Sequence, residues 1–299
     1  MQGVKKKGFL RFGAFGLALA LALVLFVSPS LAARKNTLVD PVVSDTRTEK
    51  YESIPLYMGG ERLPVDARLI NETTYVPLRA FSEAVADAAI KWYAATRTAV
   101  LTADGLSLTV SDKGYYIEAN GRYLYLRNPA VILSNGTLYL PVRPLAKALG
   151  VDIGWNASAR SVRITGSYTP IESGDSFYDK DEVYWLSRII SAESRGEPLL
   201  GQIAVGNVVL NRVESSMYPN TVYGVIFDRK HGTQFSPVSL GTIYNKPYWL
   251  SEIAAKLCLD GAVIDDRVLF FVEPRIATSS WIQKNRTYAF TVLHHDFYY

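Results

Sequence analysis

From Tyr51 to about residue 165, short apolar runs alternate with Gly, Asn and Asp, and Tyr and Val are frequent within the runs. Such runs, bounded by turn residues, predict strands. Two segments break that rhythm: residues 80–88 and 144–149 have Ala-rich amphipathic spacing, which predicts one short helix each. Thr74-Tyr75-Val76-Pro77-Leu78-Arg79 leads into the first helix and Leu138-Tyr139-Leu140-Pro141-Val142-Arg143 into the second. A Trp-bearing strand follows each, at Ile90-Lys91-Trp92 and Ile153-Gly154-Trp155, and a further strand closes each copy at 99–102 and 161–165. The copies are offset by about 63 residues, so 51–165 reads as one β-rich domain of two repeats.

Beyond it, residues 166–180 (GSYTPIESGDSFYDK) mix Gly, Ser, Pro and Asp with little apolar pattern and read as a linker. Helical spacing then takes over from Asp181 to the end. Asp179-Lys180-Asp181-Glu182 places acids in a first helical turn, where the helix dipole favours them. Val183, Leu186, Ile189, Ile190 and Glu193 continue at helical spacing, and Gly196 and Pro198 stop the helix. Residues 201–213 are apolar almost all round, which predicts a central buried helix. Asn207 and Asn211 share one face of it, and two readings stay open: they line a cleft, or they satisfy buried backbone. The expected fold class is α+β, a β-rich two-repeat domain (51–165) followed by a mainly helical domain (181–299) with a small β part.

The N-terminus stands outside both domains. Lys5, Lys6, Lys7 and Arg11 precede an apolar stretch over 13–27, and Ser30-Leu31-Ala32 follows. This is the pattern of a secretory signal cleaved after Ala32. The apolar run is short for a membrane-spanning helix, so no stable transmembrane anchor is expected after cleavage. Residues 33–50 read as a polar linker. The expected localisation is secreted, extracellular or associated with the cell wall.

The signal also changes the charge picture. The chain has 32 Lys and Arg against 28 Asp and Glu, and the first 32 residues hold four of the basic ones and none of the acidic ones. The remainder balances, and no basic stripe with interleaved aromatics is present, so no nucleic-acid partner is expected. The lone Cys258 lies in an apolar pattern and reads as a buried small hydrophobe. The histidines are His231, His294 and His295. Adjacent residues on a strand point to opposite faces, so the pair at 294 and 295 is not expected to converge, and no metal or cofactor is expected. No Gly-rich phosphate loop and no nucleophile elbow are visible.

Glu193 is the residue with a chemical case. It ends an apolar stripe at the negative end of a helix, and both circumstances disfavour the carboxylate and raise its pKa. A glycosidic oxygen leaves poorly unless it is protonated as its bond breaks, and an acid held neutral near pH 7 supplies that proton. The plainer reading is a surface carboxylate paired with a neighbour such as Arg195.

A resemblance sharpens the choice. Ala192-Glu193-Ser194-Arg195-Gly196-Glu197-Pro198, then Gly201-Gln202-Ile203-Ala204-Val205 and Leu210-Asn211-Arg212-Val213, resemble the cell-wall hydrolase family of spore cortex-lytic enzymes. So do Gln234-Phe235-Ser236-Pro237-Val238, Pro274-Arg275-Ile276-Ala277-Thr278-Ser279-Ser280-Trp281, and His295 with Phe297. Ser194 departs mildly from that family's pattern, where Ala is commoner. The resemblance implies a fold related to lysozymes and lytic transglycosylases, and peptidoglycan glycan strands, of the cell wall or spore cortex, as the partner. It implies cleavage between N-acetylmuramic acid and N-acetylglucosamine, with Glu193 as the acid.

One carboxyl suffices if the sugar's own 6-hydroxyl captures the oxocarbenium-like centre, giving a 1,6-anhydro end. Ordinary hydrolysis needs a second carboxylate, for which Glu197, Asp228, Asp265 and Asp266 are candidates. A non-catalytic wall-binding protein is the alternative from another class. Gln234, Ser236, Asn211 and Trp281 are the expected substrate contacts, and Tyr288 is a further aromatic that could stack on a sugar.

The repeated Tyr-[Val/Leu]-Pro-[Leu/Val]-Arg signature with its following Trp strand resembles the copper amine oxidase N-terminal-like, or stalk, domain. Copper needs several His ligands and 51–165 contains none, so this domain reads as non-catalytic. By analogy alone, it implies attachment to a cell-surface ligand or spacing from the surface.

Overall fold

The computed structural model describes residues 51–299 apart from His231 and Thr233. The secretory signal (1–32), the linker at 33–50 and His231 therefore lie outside the described residues.

The two repeat signatures meet at the centre of the first domain. Residues 73–77 pair antiparallel with 138–141, in the register Tyr75↔Pro141, Val76↔Leu140 and Pro77↔Tyr139. That register is symmetric, so the repeats are related by a local two-fold at the Val76–Leu140 pair. Strand alternation sends Val76 and Leu140 into the main core and Tyr75 and Tyr139 to a small cluster on the other face. The Tyr75 hydroxyl there donates to the Pro129 carbonyl at 3.0 Å.

Each signature strand ends at its proline, which has no N–H to extend the ladder and a φ suited to starting a helix. Pro77 caps α1 (Leu78–Ala86) and Pro141 caps α2 (Val142–Leu149). Both helices stop at a left-handed residue, Asp87 and Gly150. Each Trp then lies in a hairpin, with Trp92 opposite Ala99 and Trp155 opposite Val162. Strands 106–111, 116–119 and 122–125 extend the first Trp hairpin into one five-stranded antiparallel sheet.

Beyond the short α3 (Gly174–Phe177), α4 (Lys180–Ser194), α5 (Leu199–Glu214) and α8 (Trp249–Leu259) of the second domain pack around one core, with α6 (Val222–Phe227) and α7 (Ser236–Leu240) at its side. The Asp179 carboxylate accepts from the Asp181 and Glu182 amides and fixes the start of α4. The β part is a three-stranded antiparallel sheet in the order 270–272, 295–298, 288–292, with the short α9 (Trp281–Asn285) in one connection. The protein is thus mixed α and β, with its strands concentrated in the first domain and its helices in the second.

Gly206 lets the three long helices close up. A methyl at its Cα would stand 2.6 Å from Cys258 Sγ and 2.9 Å from Ile190 Cδ1. Gly206→Ala gains about 1 kcal/mol of helix propensity. It also forces α8 away from α5, and overpacking of this kind costs about 1–3 kcal/mol. A net loss of stability is therefore expected in urea denaturation of Gly206→Ala.

Residues 166–180 run along the first domain. The Thr169 and Ile171 amides donate to the Leu149 and Ala148 carbonyls, and the Gly174 amide donates to Asn120 at 2.8 Å. Ile171 is buried. The two domains meet where the strand 122–125 abuts the end of α8. Arg122 makes two 2.8 Å bonds to the Asp260 carboxylate, Lys147 reaches the same carboxylate at 2.6 Å, and the Tyr178 hydroxyl donates to it at 3.2 Å. Among the described residues, no helix is long and apolar enough to cross a membrane.

Candidate active site

Leu186, Ile189 and Ile190 on the buried face of α4 lead to Glu193, the next-to-last residue of the helix and partly buried. Burial pushes its carboxyl up to about 7, against the opposing pull of His295 and Arg212. The nearby negative helix end acts in the same direction as burial. The adjacent Ser194 hydroxyl turns back to the Ile190 carbonyl at 2.8 Å, so it is engaged within the helix.

Arg212, which the sequence offers only within the 210–213 motif, lies on the last turn of α5. It is buried, its Nε donates to the Leu269 carbonyl at 2.8 Å, and its Nη1 is buried without a hydrogen-bond partner. The rings of Tyr218, Phe235 and Phe270 lie 5.0–5.6 Å from its guanidinium carbon. Desolvation holds its pKa below the usual arginine value despite the acidic groups nearby. A charge at Arg212 favours the Glu193 carboxylate once the proton has left.

The second acid of the motif has a different environment. Glu197 is buried, and its Oε1 lies 3.1 Å from His294 Nδ1 and 3.2 Å from His295 Nδ1. Only the first contact has hydrogen-bonding geometry, and Glu197 Oε2 is buried without a partner. The expectation that His294 and His295 diverge is overturned. Leu293 sits at φ 40° in the turn between the last two strands, so the two imidazoles are not successive positions of one strand. The sequence signal that could have shown this is the break in strand pattern between Val292 and His295. Gly201 makes room for the acid, since a methyl there would stand 3.0 Å from Glu197 Oε2. Glu197→Ala strips a buried imidazole of its carboxylate neighbour, and a loss of about 1–3 kcal/mol is expected in thermal unfolding. Among the described residues, no group of three His, Cys, Asp or Glu side chains is arranged to hold a metal ion.

The expected substrate contacts divide. Asn211 donates to the Asp265 and Val268 carbonyls at 3.1 and 2.9 Å, and Asn207 brackets the same loop through the Ala262 carbonyl and the Ile264 amide. Both protons of the Asn211 amide are thereby engaged in bracing residues 262–268. Gln234 and exposed Ser236 flank buried Phe235, which lies 6.4 Å from the Phe271 ring and beside Arg212. Phe235 therefore anchors the loop that carries them. Trp281 is exposed, with Arg286 5.1 Å over its ring, and Tyr288 packs edge-on to Tyr298. Of the other carboxylates, Asp265 accepts from the Arg267 and Val268 amides and from the Tyr299 hydroxyl, and Asp228 accepts from the Lys230 amide.

Residues 196–298 match the family described as Cell Wall Hydrolase. The second domain is similar to that family over these residues. Its family match opens at Gly196, just past Glu193. Residues 57–164 match the Copper amine oxidase N-terminal domain. A spore cortex-lytic enzyme of Bacillus cereus is 39% identical over 105 residues, which are 35% of this chain and 39% of that protein. One of Oceanobacillus iheyensis is 34% identical over 125 residues, 42% of this chain and 44% of that protein. The chain thus spans about two fifths of the length of these curated relatives. A solved structure, the catalytic domain of the germination-specific lytic transglycosylase SleB from Bacillus anthracis, is 35% identical. That match covers 43% of this chain and 100% of that one, with a TM-score of 0.38.

Proposed function

We propose that this protein cleaves the glycan strands of peptidoglycan between N-acetylmuramic acid and N-acetylglucosamine, as a lytic transglycosylase with Glu193 as its acid and then its base. The observation that carries the reading is the Glu193 carboxyl, pushed up to about 7 by burial on the helix that leads into the stretch similar to cell wall hydrolases. Relatives named spore cortex-lytic enzyme support a wall or cortex substrate.

Protonated Glu193 gives its proton to the bridging oxygen as the bond from the muramic C1 breaks. The muramic 6-hydroxyl then bonds to C1 and returns its proton to the Glu193 carboxylate, with Arg212 favouring that carboxylate in between. No water is consumed, and the product carries a 1,6-anhydro end. The placement of two of the other acids favours this one-carboxyl route. Glu197 is buried against two imidazoles and Asp265 is bound by two amides and a hydroxyl, so neither is free to hold a nucleophilic water. Gln234 and Ser236 flank the sugar from the Phe235 loop, and Trp281 offers it an exposed aromatic face.

In the same reading the chain is two domains joined at 166–180 and acts outside the cytoplasm, exported by the signal at 1–32. Mass spectrometry of muropeptides from digested walls tests the chemistry. Anhydro ends are expected with the parent protein and none with Glu193→Gln; reducing ends in their place would mean hydrolysis.

A further inference from the structure

A groove of about 460 Å³ opens on the copper amine oxidase N-terminal domain, and none of its walls belongs to the hydrolase domain. Strand alternation puts Ile153 and Trp155 on one side of their strand, and Val162 faces Trp155 across the hairpin, so all three line the groove. Trp155 is 45% exposed, leaving an indole face open to solvent above an apolar floor. Arg127 and Arg143 stand in the same wall, against the single carboxylate of Glu72.

The internal repeat explains why this charge is free. Arg79 and Arg143 occupy the same place in the two copies, and each donates to a carbonyl of its Trp strand: Arg79 to Ile90 at 3.2 Å, Arg143 to Ile153 at 3.3 Å. One turn on, the copies diverge. Arg79 is paired with Glu83 at 3.5 Å, whereas the second copy has Lys147, which turns to Asp260. The first copy neutralises its guanidinium within its own helix; the second leaves Arg143 facing the groove. Neither Arg127 nor Arg143 pairs with a carboxylate among the described residues.

An open indole beside two uncompensated guanidinium groups suits a ligand with a sugar face and carboxylates. We propose that this groove binds a peptide-substituted sugar of peptidoglycan, with Trp155 stacked on the sugar ring and Arg127 and Arg143 on carboxylates of the stem peptide. The proposal rests on the reading of peptidoglycan as substrate. It gives the domain a part in the reaction, because α2 carries both Arg143 on the groove and Lys147 on Asp260 of the hydrolase domain. A strand held in the groove is thereby held at a fixed distance from Glu193.

The test uses the full mature chain carrying Glu193→Gln, sedimented with purified insoluble peptidoglycan. Trp155→Ala, and separately Arg127→Ala with Arg143→Ala, are expected to weaken binding roughly tenfold, as for loss of a stacked ring or a charge-assisted pair. Trp92→Ala, in the copy whose arginine is already neutralised, is expected to leave it within about twofold on the same grounds. Peptidoglycan stripped of stem peptides should bind more weakly and should not distinguish the double arginine variant from its parent. With Glu193 intact, Trp155→Ala should raise KM on insoluble wall and leave turnover of short soluble glycans unchanged. Matching melting temperatures establish that the variants fold. Unchanged sedimentation of both groove variants overturns the proposal, as does equal weakening by Trp92→Ala. Failure of the functional reading is seen separately, as wall cleavage that survives Glu193→Gln.

Discussion

Glu193→Gln is expected to lower the rate of wall cleavage by about 10²–10⁴ or more, the range for loss of an essential general acid, while making the folded protein more stable at pH 8. The two effects have one cause. Folding raises this carboxyl from 4.5 to about 7 by burying it. A group whose folded pKa is raised stabilises the fold fully below the unfolded value, and that contribution is lost as pH rises through the folded one. The window here runs from about pH 4.5 to 7. Above it the parent protein holds a buried carboxylate, at a cost of at most about 3 kcal/mol, reduced by the partial exposure of the side chain. Glutamine has no such charge, so its stability should be flat across the window. The expected result is a higher melting temperature for Glu193→Gln at pH 8 and equal melting temperatures below pH 4.5. The parent's cleavage rate should fall as pH rises through about 7, where the proton is lost before it can be used. A parent enzyme equally active at pH 6 and pH 9 would sink the role of Glu193 as the acid.

How far the sequence led depended on whether a feature was local. The two signatures at 74–79 and 138–143 marked the repeat because each places a strand, a proline stop and a helix within a few residues. The sequence did not disclose that these strands pair with each other at Val76 and Leu140, since pairing over that separation leaves no local trace. The burial of Glu193 is legible because helical spacing shows which face is apolar. Arg212 was not, because its partner carbonyl and the rings around it come from residues 218, 235, 269 and 270. The His294–His295 pair was misread for a specific reason. Strand alternation separates adjacent side chains only along one continuous strand, and the turn at Leu293 interrupts it. Spacing leaves two readings of Asn211 open, and the carbonyls its amide braces lie more than fifty residues away.

The largest loss of stability is expected from Asp260→Ala, at the junction of the two domains. The Asp260 carboxylate is 1% exposed and the Arg122 side chain 8%, so the pair is shielded from solvent. Burial works against the Asp260 charge, but hydrogen bonds from Arg122 and Lys147 outweigh it and hold the carboxyl below its ordinary value. Removing the acid leaves the Arg122 guanidinium buried with the Phe177 ring 3.3 Å away and no counter-charge from Asp260. Breaking one side of a buried pair costs about 3–5 kcal/mol, chiefly for the charge left behind. Lys147 is 48% exposed and can turn to water, so Lys147→Ala should cost about 1 kcal/mol or less. Because each domain has its own apolar core, the loss should also appear in the shape of unfolding. The parent is expected to unfold in one calorimetric transition, and Asp260→Ala in two, with the weaker domain melting first. Replacing Arg122 by Met together with Asp260 by Leu should restore much of the loss, since no charge is then buried. The pH dependence follows from the lowered carboxyl: stability from the pair is complete above about pH 4, the ordinary Asp value, and is lost as pH falls through the depressed one. An Asp260→Ala protein that melts in one step at the parent's temperature would mean that this ion cluster does not join the two domains.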